Sequence, residues 1–124
     1  MTLNHLEISL IEEIIEANSS SFPELKEQLS RLNVSEREYT GVGIYVNFEL
    51  DNQIEIYKST IISTEILGSK TSFFVDSLVN EIAYELCLTQ SGNFKFLEIV
   101  NNDGIDWNGK FKTFKKIKTV GNNL

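Results

Sequence analysis

Few residues in this 124-residue chain have the side chains that acid–base, nucleophilic or metal chemistry needs. His5 is the only histidine and Cys87 the only cysteine. A Ser–His or Cys–His catalytic pair would have to use His5, which stands beside the predicted start of a helix. A zinc site of the usual cysteine and histidine kind needs more such ligands than the chain contains. We therefore predict no metal and no cofactor, with Cys87 as a small buried hydrophobic side chain.

Residues 101–106 place oxygen ligands at a spacing that resembles a calcium loop, because they read NNDGID. The stretch lacks the terminal glutamate of a helix–loop–helix calcium site, and it follows a predicted strand. The preferred interpretation is a turn in which Gly104 adopts positive φ.

Two glycines, Gly41 and Gly43, open a stretch in which apolar and polar residues alternate. In a nucleotide-binding loop such glycines end a strand and open a helix, whereas these two begin a strand. Glycine inside a strand usually marks an irregular backbone or the close approach of another chain segment. We predict that both glycines are structural.

Carboxylates are the remaining candidates for chemistry. Four glutamates occupy positions that one sheet face could bring together: Glu49, Glu55, Glu85 and Glu98. On a solvated face such residues usually only maintain solubility, so paired carboxylates for acid–base catalysis stay an open alternative.

Apolar periodicity predicts two helices at the start of the chain. Residues 3–17 carry an apolar stripe at helical spacing, and Asn4 is a suitable N-cap. Ser21 and Glu24 fit a capping box before a second helix of about three turns that extends to Leu32. A short polar loop between the two predicts an antiparallel helical hairpin.

The rest of the chain predicts strands. Residues 39–50 alternate as a half-buried strand, and a turn at 51–53 leads into a return strand that begins at 54–57. Residues 73–88 fit a helix or a strand, and a turn at 90–93 favours a hairpin over 82–100, with Leu97 and Ile99 facing opposite Phe94 and Phe96. The predicted fold is α+β, with the helical hairpin packed on an antiparallel sheet of about five strands.

Charge is distributed unevenly along what we predict to be a single domain over 1–124. Residues 1–109 hold all 18 acidic residues and six of the 11 basic ones, a balance of −12, and residues 110–124 hold five lysines. An acidic body repels phosphate backbones, which argues against nucleic acid as a partner and favours either plain solubility or a basic protein partner. The lysines alternate with aromatic residues, a pattern suited to RNA or an anionic membrane, but we prefer a last element whose lysines complement the acidic body.

Location follows from what the sequence lacks. No 18-residue apolar run is present, and the first 20 residues contain four glutamates and no lysine or arginine. These features predict neither a membrane span nor a secretory signal. A single cysteine cannot form an internal disulfide, so the cytoplasm is the expected compartment.

Two motifs resemble a signature of small bacterial α+β proteins. The first reads REYTGVG from residue 37 and leads into an aromatic run that ends at Phe48; the second reads GNFKFLEI from residue 92 and is followed by an acidic turn and Trp107. The resemblance covers residues 37–50 and 82–107, and it is to immunity proteins of contact-dependent growth inhibition systems.

The resemblance implies a cytoplasmic immunity protein, not an enzyme, that occludes the active site of one cognate toxin domain. A nuclease with a basic surface is the favoured class of toxin. The predicted partner-binding residues are glutamates around the motif strand with two aromatic anchors: Glu49, Glu55, Tyr45, Tyr57, Glu85 and Glu98. One alternative is a small-molecule-binding protein or enzyme with a pocket between helices and sheet. A second is an interaction module unrelated to toxins.

Overall fold

A computed structural model describes residues 1–50 and 65–118, the side chain of Leu50 excepted. The helices are α1 (His5–Ala17) and α2 (Leu25–Leu29). The strands are β1 (Leu32–Tyr39), β2 (Gly43–Leu50), β3 (Glu65–Leu67), β4 (Ser72–Val75), β5 (Ala83–Leu88), β6 (Phe94–Val100) and β7 (Phe114–Ile117). The turn predicted at 51–53 and the return strand from 54, with Glu55 and Tyr57, lie outside the described residues. Neither helix in the described ranges has the length and apolar character needed to cross a membrane.

The sheet is antiparallel, with strand order β1-β2-β6-β5-β3. Helix α1 packs its apolar stripe on one face of this sheet. Buried side chains of the helix and of the sheet form the core there. A second sheet of β4 and β7 lies on the same side, since Phe73 contacts Tyr84 edge to face at 5.2 Å between ring centroids. The predicted α+β class and five-stranded antiparallel sheet are confirmed.

The predicted helical hairpin is not present as such. Helix α1 matches its prediction, and Asn4 forms a capping box with Glu7. The second helix is a single five-residue segment without a side-chain cap. It ends before Leu32, because Leu32 and Val34 are buried as strand residues opposite Leu50 and Phe48. Pairing with β2 therefore overrides the helical periodicity that had extended the prediction to Leu32.

Three further boundaries differ from or refine the predictions. The strand predicted over 39–50 is two elements, with Tyr39 ending β1 and Gly43 opening β2. The ambiguous segment over 73–88 contains most of strand β4, then a turn, and then strand β5. The hairpin over 82–100 is confirmed by the pairing of β5 with β6.

A bulge at Lys95 corrects the facing predicted for Phe94. Leu88 pairs with Phe94, whereas Cys87 pairs with Phe96, so one extra residue stands on β6. Phe94 therefore lies on the buried face with Leu97. Of the two phenylalanines, only Phe96 lies on the opposite face. The alternation of the sequence could not show this, because a bulge depends on the partner strand.

A partly buried ion pair joins α1 to the edge strand β1. Arg37 donates from Nε to Glu7 Oε2 at 2.8 Å and from Nη2 to Glu7 Oε1 at 2.6 Å. Arg37 is opposite Val46, which is fully buried, and so points toward the helix. The arginine of the REYTGVG motif thus has a structural contact. Its hydrogen bonds to Glu7, more than the charge of Glu7, raise the pKa of Arg37.

Two lysines, Lys116 on β7 and Lys118 just after it, also bind α1. Lys116 Nζ donates to the buried carboxylate of Glu13 at 2.8 Å, and Lys118 Nζ donates to Glu16 at 3.1 Å. This is the arrangement expected if the basic segment complements the acidic body.

The two motif glycines have different structural reasons. Gly41 adopts φ +95°, a conformation that L side chains rarely take. At Gly43 a Cβ would meet the carbonyl oxygen of Ile99 well inside van der Waals contact, because β6 runs alongside. Both observations support the prediction that these glycines are structural.

We expect Gly41→Ala to lower the free energy of unfolding by about 1 kcal/mol, through backbone strain. Gly43→Ala should cost more, about 2 kcal/mol or above, because β6 must move. Gly68→Ala is the matched control, since its Cβ would meet nothing within 4 Å and its φ is not positive. Urea denaturation measures all three; equal stability of the Gly43 and Gly68 variants would contradict the close-approach argument.

A second prediction concerns acid. Burial would raise the pKa of Glu13, but hydrogen bonds from Lys116 and Thr71, with the charges of Lys116 and Lys118, lower it overall from the ordinary 4.5. The carboxylate therefore contributes stability above pH 4.5, and the contribution is lost as pH falls through the lowered pKa. Glu13→Gln should cost about 1–2 kcal/mol at pH 7 and remove this part of the pH dependence.

Glu12→Gln is the control for that experiment, because Glu12 is exposed on the same helix. Urea denaturation from pH 3 to pH 7 provides the measurement. The role of Glu13 would be refuted if both variants lost the same stability at every pH.

Candidate functional site

The face of the five-stranded sheet opposite α1, called the outer face below, is crossed by a row of acidic and aromatic side chains. Backbone register places one residue from each of four neighbouring strands side by side: Glu38, Tyr45, Glu98 and Glu85. We call these four residues the acidic row. Its members come from residues 38–98, so only the folded sheet brings three carboxylates and a phenol together.

Hydrogen bonds and charge couple the row. The Glu98 carboxylate, first by its charge and then by a hydrogen bond, raises the pKa of Tyr45. Partial burial, followed by the charge of Glu98, raises the pKa of Glu85. Like charges directly opposite each other on neighbouring strands repel, so the row concentrates negative potential at a cost in stability.

Neighbouring residues extend the outer face. Asn47 donates from Nδ2 to Glu38 at 2.9 Å, which orients that carboxylate. Tyr45 packs edge to face against Phe96, with ring centroids 5.2 Å apart. The face therefore offers a rigid aromatic pair beside its carboxylates, an arrangement suited to protein contact.

The structure brings three of the predicted site residues together. Tyr45, Glu98 and Glu85 are members of the acidic row. Glu49 is exposed on the same face, opposite Asn33, and lies apart from the row. Sequence reasoning missed Glu38, because the first strand was predicted to begin at residue 39. The alternation of Glu36 and Glu38 around Arg37 was the available signal.

The other chemical candidates have structural surroundings. Cys87 is buried on β5, and burial raises the pKa of its thiol. Gly104 adopts φ +73°, as the turn interpretation of residues 101–106 predicts. Asp103 of this turn accepts hydrogen bonds from the backbone of Val79 and Asn80, which lower its pKa. Within residues 1–50 and 65–118, no three His, Cys, Asp or Glu residues are grouped so as to hold a metal ion.

Two hollows bear on the pocket alternative. One of about 480 Å³ beside the start of α1 includes Glu7 and Arg37 in its lining. Another of about 720 Å³ beside the end of α1 is lined in part by Glu13, Glu16 and Lys118. In each hollow these charged groups already bind one another, so they are occupied in holding α1 to the strands.

Replacing Glu85 with glutamine should stabilise the protein at pH 7 by about 0.5 kcal/mol, because it removes a like-charge repulsion. Because the pKa of Glu85 is raised in the folded state, the wild type should gain stability as pH falls through that pKa, and Glu85→Gln should lack this gain. Glu49→Gln, on the same face outside the row, is the control. A destabilised Glu85→Gln variant would show that Glu85 is a structural residue.

Comparisons with known proteins identify no relative: no family model, no curated protein and no solved structure matches the chain. The resemblance to immunity proteins therefore stays a prediction, and the function has to be argued from the charge and geometry of the outer face.

Proposed function

We propose that the protein is a binding protein that uses its outer face to cover a basic surface of another protein. The observation that carries the proposal is the acidic row, which spans four strands and faces away from α1. A flat sheet face with clustered carboxylates is complementary to a surface rich in lysine and arginine.

Charge balance supports a protein partner over nucleic acid. Acidic residues outnumber basic ones on the body of the chain, and Lys116 and Lys118 are engaged with Glu13 and Glu16. Negative potential on the outer face repels phosphates and attracts cationic side chains. Tyr45 and Phe96 supply apolar contact area within the same face, as interfaces that bind proteins usually require.

The motif resemblance makes the proposal more specific. We propose an immunity protein that occludes the active site of a cognate toxin domain, with a nuclease as the favoured class. A nuclease binds phosphates through basic residues, so an acidic sheet face can compete for that surface. The protein would act by binding alone, in the cytoplasm.

The first test is protection. The proposal predicts that a gene beside the one for this chain encodes a toxin domain. That domain should kill cells when expressed alone and spare them when this chain is co-expressed. An unrelated nuclease toxin is the control and should kill in both cases. Absence of protection against the adjacent toxin would overturn the immunity assignment.

The second test separates charge from other contacts. Charge reversal at Glu85 and Glu98 should slow association with the purified toxin domain about tenfold at low salt, with a smaller change in dissociation. Reversal at Glu12 and Glu27, on the helices, is the matched control with the same net charge. Because the Debye length shrinks to a few ångströms, about 0.5 M salt should slow the wild type similarly. Association that is indifferent to salt would remove the electrostatic mechanism.

A further inference from the structure

Three loops at one end of the sheet hold apolar side chains in solvent. They follow β1 and β6 and precede β5, so they meet where β2 begins. Val42 is 45% exposed, Ile105 54% and Val79 84%. We call these three residues the apolar platform.

Polar side chains brace the platform from within. The Asn101 amide donates to the carbonyl of Val42 at 2.7 Å and to that of Ile105 at 3.0 Å, so one nitrogen binds both loops. The Asp103 carboxylate accepts from the backbone N–H of Val79 at 2.7 Å. The backbone N–H of Trp107 donates to the carbonyl of Gly41, which closes the arrangement.

The three loops combine an ordered backbone with exposed apolar groups. Asn101 and Asp103 bind backbone, and Val42, Val79 and Ile105 face water. Exposed apolar groups held together on a surface mark interaction sites. Since hydrogen bonds already order the loops, little conformational entropy remains to be lost when a partner binds.

The platform lies at the end of the strands that carry the acidic row. Val42 precedes Gly43, which pairs with Val100, and Val100 lies two residues beyond Glu98 on β6. Exposed carboxylates of Glu81 and Asp106 flank the platform. A partner that contacts both regions must therefore be basic around an apolar side chain.

We propose that the apolar platform is the anchor for the same basic protein that the acidic row attracts. This inference rests on the proposed function. It assigns the rate of association to one region and the rate of dissociation to the other. The acidic row raises the rate of association through long-range attraction. The platform slows dissociation, because separating the apolar contact returns its surface to water.

Two octapeptides of equal charge serve as probes, one of alternating lysine and tryptophan and one of alternating lysine and serine. Affinities are measured by isotope-edited NMR titration at low salt, with contacts mapped on backbone amides. Both peptides should shift the NMR signals of the backbone amides of the acidic row, and added salt should lower the affinity of both. The tryptophan peptide should also shift Val42, Val79 and Ile105, and should bind about tenfold tighter.

Variants test whether the higher affinity of the tryptophan peptide comes from the platform. In Val42→Ser/Ile105→Ser, the affinity ratio of the two peptides should fall to about one, while the serine peptide binds as before. Ile8→Ser is the matched control, because Ile8 is also an exposed aliphatic side chain, 37% exposed, and lies on α1. Glu85→Gln/Glu98→Gln should weaken both peptides by the same factor.

The two proposals fail in different ways. If the serine peptide shows no salt-dependent binding at the acidic row, the proposed function is overturned together with the inference that rests on it. If the serine peptide binds there but the tryptophan peptide gains nothing, or keeps its advantage in Val42→Ser/Ile105→Ser, the anchor alone is overturned.

Discussion

The attachment of α1 to the edge of the sheet depends on the pair of Arg37, which is partly buried, and Glu7, which is buried. A carboxylate withdrawn from water must be hydrogen-bonded and paired, and Glu7 meets both needs by capping α1 and accepting two bonds from Arg37. These contacts fix the start of α1 against the edge strand. Because side chains alternate along β1, turning Arg37 inward turns Glu36 and Glu38 outward. The same short stretch thus secures the helix on one face and supplies acid to the other.

The carboxylates of the outer face lie close together although their negative charges repel each other. Glu98 stands beside Glu85 and Tyr45, and it raises the pKa of both. A sheet selected for stability alone would place opposite charges or apolar residues at such paired positions. Arrangements that cost stability without an internal benefit are characteristic of functional surfaces. These paired carboxylates, more than the total charge of the chain, are the reason for our proposal that the outer face binds a partner.

Local signals predicted the elements that local contacts define. Helix α1 and the hairpin of β5 and β6 followed from periodicity and turn residues. Partners distant in sequence decided the rest: Leu32 is strand because β2 pairs with it, and Gly43 is needed because Ile99 approaches. In the acidic row, Tyr45, Glu85 and Glu98 could be nominated from their types, but their adjacency required the strand order. The bulge that reverses Phe94 has no signature in its own strand.

The ion pairs of β7 have a consequence for how the chain is made. Glu13 and Lys116 are 103 residues apart, and the lysine is among the last described residues to leave the ribosome. Until then the carboxylate on α1 lacks its principal cation, so the helix cannot bury that side of its surface favourably. Contacts of such long range close late, because loop entropy must be lost first. We therefore expect folding to be completed only after β7 has been synthesised, and a nascent chain stopped before β7 to remain open to proteases.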